Sequence, residues 1–215
     1  VLEVNYDESK TKHIQRNKIL NQAFRLFLEK GIQNVTMQDI AEAAFIQRRT
    51  LYFYYKSKDD VALELIKCTM SEFRKITSEL KIPTYLTTGF ARIEFILNAY
   101  LDYFLHNEEL ILFTVHSDYY FHKSYSNEHE ESSFTSFYEE SRRSIQQELN
   151  RGIEDGSIKE KYAKNIEEIF FISASAILSL TQRLLYRGEI IKSESGYDRK
   201  SLSLLVDVIL QGLKA

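Results

Sequence analysis

Between residues 47 and 54 the chain reads Gln-Arg-Arg-Thr-Leu-Tyr-Phe-Tyr, a run of amide, guanidinium, hydroxyl and aromatic groups broken only by Leu51. At helical spacing Ile46, Leu51 and Tyr55 turn inward as anchors, and Gln47, Arg48, Arg49, Thr50, Tyr52, Phe53 and Tyr54 are left to point outward. The chemistry open to such a face is the reading of flat polar edges. A guanidinium can bond guanine at O6 and N7 in bidentate fashion, an amide can do the same for adenine, and aromatic rings can rest on a thymine methyl. Each good bidentate pair is worth roughly 1–3 kcal/mol of discrimination. No Gly-rich phosphate loop follows a strand pattern, and no catalytic triad or paired-carboxylate spacing stands out. The sequence therefore assigns no catalytic residue and no cofactor.

A face of this kind needs short helices to hold it. Met37, Ile40, Ala41 and Ala44 recur at i, i+3, i+4 and i+7, one apolar stripe. Thr36 precedes them with Asp39 three residues on, which predicts a capping box with aspartate in place of glutamate. Ser57 with Asp60 repeats that signal at the start of the next helix. Two helices joined by a tight turn, the second displaying the polar and aromatic face, match what a helix needs to lie in a DNA major groove.

The stretch from Ile19 to about Val61 resembles the tetracycline-repressor-type (TetR) family of transcriptional regulators. The residues that carry the resemblance are Ile19-Leu20, Ala23, Leu26-Phe27, Lys30-Gly31, Val35-Thr36-Met37, Asp39-Ile40-Ala41 and Ala44, then Thr50-Leu51-Tyr52, Tyr54-Tyr55 and Ser57-Lys58-Asp59. It covers roughly a fifth of the chain and implies a DNA-binding head in which Gln47, Arg48, Arg49, Thr50, Tyr52 and Phe53 reach base edges or the adjoining backbone. Thr36, Tyr54 and Lys58 match positions that grip phosphates, Thr36 and Lys58 at helix N-termini where free N–H groups add to the pull. Three positions depart from the pattern: Phe45 in place of the usual turn glycine, Gln47 in place of a small hydroxyl residue, and Lys56 in place of proline. Phe45 leaves two alternatives, a turn that avoids positive φ or a ring held by packing.

Charge follows the same division. Residues 9–58 hold ten Lys/Arg against three acids, a net +7, so the remainder sums to −10 of the overall −3. A basic head on an acidic body suits contact with phosphates at one end. Lys10, Lys12 and Arg16, near the start of a first helix over 9–30, could reach a DNA backbone. One proline and seven glycines in 215 residues favour long helices over a turn-rich β fold. No uncharged apolar run of about 18 residues predicts a membrane span. The start, with Glu3, Asp7 and Glu8, does not read as a signal peptide. Cys68 stands alone, reads as a small buried residue, and fits a cytoplasmic location.

The expected architecture is all-α with about nine helices: a head over residues 1–56 with a linking helix that runs to about 80, and a body over 57–215. Residues 1–8 read as a loose tail, 84–106 and 108–122 as helices, and 123–133 as a polar loop. A further helix follows to near Gly156, then one over 164–187 and a closing helix from about 198. Tyr100, Phe104, Phe113, His116, Tyr120, Phe134, Tyr138 and Phe170 could line a pocket for an apolar or planar small molecule, though most such rings in a helical body are core. His116, Asp118, His122 and His129 do not have the spacing of a metal site. The helix over 164–187 is apolar on two sides, with Ile172, Ala176 and Ser179 on the second, and the closing helix carries a stripe of Leu202, Leu205, Val206, Ile209 and Leu213.

The resemblance implies that these last two helices pair with their copies in a homodimer. It also implies a function: a regulator, most simply a repressor, that leaves palindromic double-stranded DNA when a small-molecule effector occupies the body. Two other readings stay open: an all-helical small-molecule- or metal-binding protein or enzyme with no DNA role, and a regulator whose body senses a protein partner.

Overall fold

The computed structural model describes residues 10–121 and 131–215. The expected tail over 1–8, most of the expected loop at 123–133, and His122 and His129 lie outside the described residues. Among those described, regular structure is helical apart from one antiparallel bridge between Ile158 and Lys214. The helices are α1 (Lys10–Lys30), α2 (Met37–Ala43), α3 (Arg48–Tyr54), α4 (Lys58–Glu79), α5 (Gly89–His106), α6 (Glu108–Phe121), α7 (Glu131–Glu154), α8 (Ile166–Ser195) and α9 (Lys200–Leu213), with short 3-10 turns at Ile32–Asn34 and Glu160–Asn165.

The chain forms two compact units: Val1–Glu72 with Leu112–Phe134, and Phe73–Ile111 with Thr135–Ala215. In the first, α1 ends where Gly31 takes φ 76° and donates its N–H to the Phe27 carbonyl at 2.9 Å, the stop expected of glycine there. Ile19, Ala23 and Phe27 of α1, Ile40 and Ala41 of α2, Leu51 of α3 and Val61 and Leu65 of α4 are fully buried. Each large apolar side chain so buried contributes about 1.5–3 kcal/mol. Residues 112–121 of α6 also belong to this unit. Phe113 is fully buried, its ring centroid 5.3 Å from that of Phe24.

Arg16 is not turned outward to a DNA backbone, contrary to the expectation from its charge. Its guanidinium forks onto Glu64 of α4 through Nε (2.8 Å) and a terminal nitrogen (2.5 Å) and lies over the buried Tyr55 ring. The Glu64 carboxylate raises the Arg16 pKa further. Cys68 is half-buried, and burial pushes its thiol up to about 12, which leaves it without thiolate character at neutral pH.

In the second unit α5 packs on α8 and α9. The expected helix over 84–106 begins only at Gly89, because three side chains cap it there. Thr88 Oγ1 accepts from Ala91 N, Asp155 accepts from Gly89 N at 2.7 Å, and Ser157 Oγ accepts from Phe90 N at 3.0 Å. The crossing is close: a Cβ on Gly89 would meet the Gly152 backbone nitrogen at 2.1 Å. Glu131 to Ser133, expected in a loop, belong to α7. α8 runs eight residues past its expected end to Gly196, whose φ is 77°. That expected end survives as a break, for Arg187 has φ −125° and ψ 15° within the helix.

By length and apolarity alone residues 160–195 would suffice to cross a membrane, which the search for an uncharged run does not anticipate. The stretch nevertheless carries Glu167, Glu168, Arg183, Arg187 and Glu189, and α8 packs on α5 and α9.

Gly89→Ala is expected to destabilise the second unit by about 3 kcal/mol, lowering Tm by roughly 6–12 °C. Gly212→Ala, where an added Cβ meets nothing within 4 Å, should stabilise α9 by roughly 0.5–1 kcal/mol. Thermal unfolding of both variants checks the pair, and an unchanged Tm for Gly89→Ala would contradict the close crossing.

Candidate nucleic-acid interface

The interface is assembled from two capped helices and the short helix between them. Thr36 Oγ1 accepts from Asp39 N at 3.2 Å while the Asp39 carboxylate accepts from Thr36 N at 2.7 Å, the box read from the sequence. Ser57 and Asp60 repeat it at the start of α4, at 3.1 and 2.9 Å. The Thr36 hydroxyl also donates to Asp39 at 2.6 Å. Its hydroxyl proton is thus engaged inside the cap.

α3 has seven residues, with Leu51 fully buried on its inner side and Tyr55 buried just beyond its end. Gln47, its N-cap, and Arg48, Arg49, Tyr52 and Phe53 are exposed, while Thr50, Tyr54 and Ile46 are half-buried. Arg48 and Tyr52 form a pair one turn apart. The guanidinium donates to the Tyr52 hydroxyl at 3.2 Å and lies 5.5 Å from the ring centroid. Phe53 and Tyr54 stand edge to face at 5.4 Å. Fixed donors and exposed rings therefore share a surface free of acidic side chains over residues 47–54.

The turn before α3 fits neither alternative left open for Phe45. The residue has φ 53° and its ring is 86% exposed. A left-handed backbone costs a side-chain-bearing residue roughly 1–2 kcal/mol, and an 86% exposed ring is not buried against the described residues to offset it.

Lys58 lies at the start of α4, where its ammonium donates to the Gln33 carbonyl at 3.2 Å and sits 5.2 Å from the Tyr120 ring centroid. Burial lowers its pKa. The Tyr120 hydroxyl donates to Asp59 at 2.7 Å; burial first, then Asp59, pushes the phenol up to about 12. Tyr120 thus belongs beside the candidate phosphate contact. Sequence spacing could not show this, because the contact joins positions 61 residues apart.

The eight pocket candidates separate between the units. Phe113, His116 and Tyr120 fall in the first, where Phe113 packs on Phe24 and Tyr120 is committed to Asp59 and Lys58. Burial lowers the His116 pKa. Tyr100, Phe104 and Phe170 fall in the second, where Phe104 is buried against Phe73 at 5.9 Å and Tyr100 stands 6.1 Å from it. The side chains of Phe134 and Tyr138 lie outside the described residues. An open polar cleft of about 390 Å³, lined by Gln146, Asn150 and residues 163–168, contains none of the eight.

The pairing face also needs correction. Ile172 (62% exposed) and Ser179 are open and Ala176 is half-buried. On α9, however, Leu202, Val206 and Leu213 are buried in the chain's own core, and Leu205 and Ile209 are half-buried. The open apolar positions are Leu204 and Val208, with Phe171 on α8. α9 is apolar on both sides, and the expected stripe is largely its inner one.

The first cap carries a pH signature. Hydrogen bonds from the Thr36 hydroxyl and backbone hold the Asp39 pKa below the usual carboxylate range. A depressed folded-state pKa contributes stability that is present above the unfolded value near 4 and lost as pH falls through the folded one. Acid titration of the head should therefore show destabilisation below about pH 4, partly abolished by Asp39→Asn. An identical acid profile for that variant would remove the cap's role.

Residues 19–65 match the family described as bacterial regulatory proteins, tetR family. The Tn10 TetC protein of Escherichia coli is 30% identical over 94 residues, 44% of this chain and 46% of its own. The biofilm operon negative transcriptional regulator IcaR of Staphylococcus aureus is 33% identical over 61 residues, 28% of this chain and 33% of its own. The match thus spans less than half the length of these curated relatives. In fold the likeness extends along nearly the whole chain. The crystal structure of the TetR-family regulator PfmR from Thermus thermophilus aligns over 93% of this chain and 97% of its own, with a TM-score of 0.64 at 20% identity. The chain thus shares with the tetR family of bacterial regulatory proteins the sequence of its capped head and, along nearly its whole length, the helical fold of solved TetR-family regulators.

Proposed function

We propose that the chain is a sequence-specific DNA-binding transcriptional repressor that works as a homodimer on a palindromic operator in the cytoplasm and is relieved by a small molecule bound in the body. The observation that carries the reading is the outer face of α3, where Gln47, Arg48, Arg49, Tyr52 and Phe53 are exposed together and Arg48 is braced by Tyr52. IcaR is a negative regulator, which supports repression as the direction. Tyr54 and Lys58 supply the backbone contacts that orient the head, while Thr36, whose N–H and hydroxyl both donate to Asp39, caps the start of α2. Phosphate contacts position the protein and α3 selects the sequence.

One head makes too few contacts to hold a site at physiological salt, so the reading requires two. Paired heads address half-sites about 34–36 Å apart. Phe171 and Ile172 of α8 and Leu204 and Val208 of α9 are between 60% and 68% exposed, and a second copy presenting the same residues would cover them. Relief by an effector needs only a modest coupling, typically about 1–3 kcal/mol between the two sites.

Arg48→Ala and Arg49→Ala should each weaken binding to a selected operator by about 10- to 100-fold and relax base preference at one position of each half-site. Lys58→Ala should weaken binding evenly across sequences and reduce the salt slope by about one. Anisotropy titrations at several salt concentrations separate these outcomes. Unchanged affinity for both arginine variants would take base reading away from the outer face of α3, and a parent that selects no duplex would favour a helical binding protein with no DNA role. Ile172→Asp combined with Val208→Asp should give a monomer by sedimentation and cost about 100-fold in operator affinity. A dimer that persists in this variant would move the pairing face elsewhere.

A further inference from the structure

Phe45 occupies a backbone region that favours glycine or asparagine, and among the described residues an exposed cation over its ring is a small return for it. Its φ is 53° and 86% of it is exposed. Glycine or asparagine would hold the same turn with less strain. Strain of this kind persists where surrounding structure enforces it, and it clusters at functional sites. Here the turn is enforced: Phe45 N donates to the Glu42 carbonyl at 3.0 Å and Ile46 N to the Ala41 carbonyl at 3.0 Å. The backbone that carries the ring is therefore held in place two residues before Gln47, the N-cap of α3.

One neighbour on α1 adds to it. The exposed Lys18 ammonium stands 5.5 Å from the ring centroid. An apolar ring and a cation side by side, next to a helix that reads base edges, match the two components of a DNA strand. The ammonium suits a phosphate, and the ring suits an apolar group between phosphate and base.

We propose that Phe45 and Lys18 make a DNA contact outside the face of α3, with the Phe45 ring against a deoxyribose or a thymine 5-methyl at the rim of the groove and the Lys18 ammonium on the adjoining phosphate. The contact rests on the DNA-binding reading above and extends it to a turn residue and a helix that the recognition face does not include.

The full-length protein and an operator selected from a random duplex pool provide the test, with anisotropy for binding and thermal unfolding for stability. Phe45→Gly and Phe45→Asn are expected to be at least as heat-stable as the parent and to bind about tenfold more weakly. Phe45→Tyr should retain parental affinity, which separates loss of the ring from loosening of the turn. Lys18→Gln should lower the salt slope by about one. Duplexes with deoxyuridine in place of thymidine locate the partner. Weakening that Phe45→Gly does not deepen supports the methyl, and no weakening supports the sugar. The proposal is overturned if the glycine and asparagine variants bind as tightly as the parent, or if the tyrosine variant loses as much as asparagine. Where the parent binds and Arg48→Ala abolishes selectivity, that outcome leaves the recognition face intact. A parent that binds no duplex overturns both.

Discussion

A helix of seven residues cannot sustain itself in water, because its few hydrogen bonds do not offset the cost of nucleation. α3 exists only because its surroundings hold it. Leu51 and Tyr55 are drawn into the core of the first unit, and each flanking helix is started by a reciprocal cap, Thr36 with Asp39 and Ser57 with Asp60. That dependence explains the division of labour along the segment. The residues that fold it face inward and are ordinary apolar anchors; those left outside are free to be chosen for chemistry. A rigid support for an otherwise unstable reading element also keeps the donors of Arg48 and the rings around it in one arrangement before any partner arrives.

Beneath this surface the first unit is tied together by charge as well as by apolar packing. The Arg16–Glu64 fork joins α1 to α4 over the Tyr55 ring, with the carboxylate buried. Breaking such a pair is costly because it strands one charge away from water. Tyr120 adds a second brace at the start of α4 through Asp59 and Lys58. Both bring together residues far apart in sequence, and both act on the helix that begins immediately after the reading element.

What the sequence made legible was local. The two caps, the stop at Gly31, the outward face of α3 and the two-sided character of α8 follow from spacings of three or four residues, and each is present. Features set by distant contacts were not legible. The start of α5 is fixed by Asp155, Ser157 and a glycine crossing more than 60 residues away. Phe113 and Tyr120 are core and brace residues of the first unit because of what α6 packs against. On α9 periodicity finds an apolar stripe but cannot choose between two, and the pairing expected at Leu202 and Val206 falls on residues that their own chain buries. The conformation at Phe45 was anticipated only as a conflict.

The central claim is that two copies of the α3 face read inverted half-sites one helical turn apart. Selection of bound duplexes from a random pool at low salt, followed by sequencing, tests it most directly. The account predicts enrichment of a two-fold symmetric site whose halves are about 34–36 Å apart centre to centre, lost in the Arg48→Ala, Arg49→Ala double variant. A pool that stays random through successive rounds, or the same site enriched by the double variant, would contradict it.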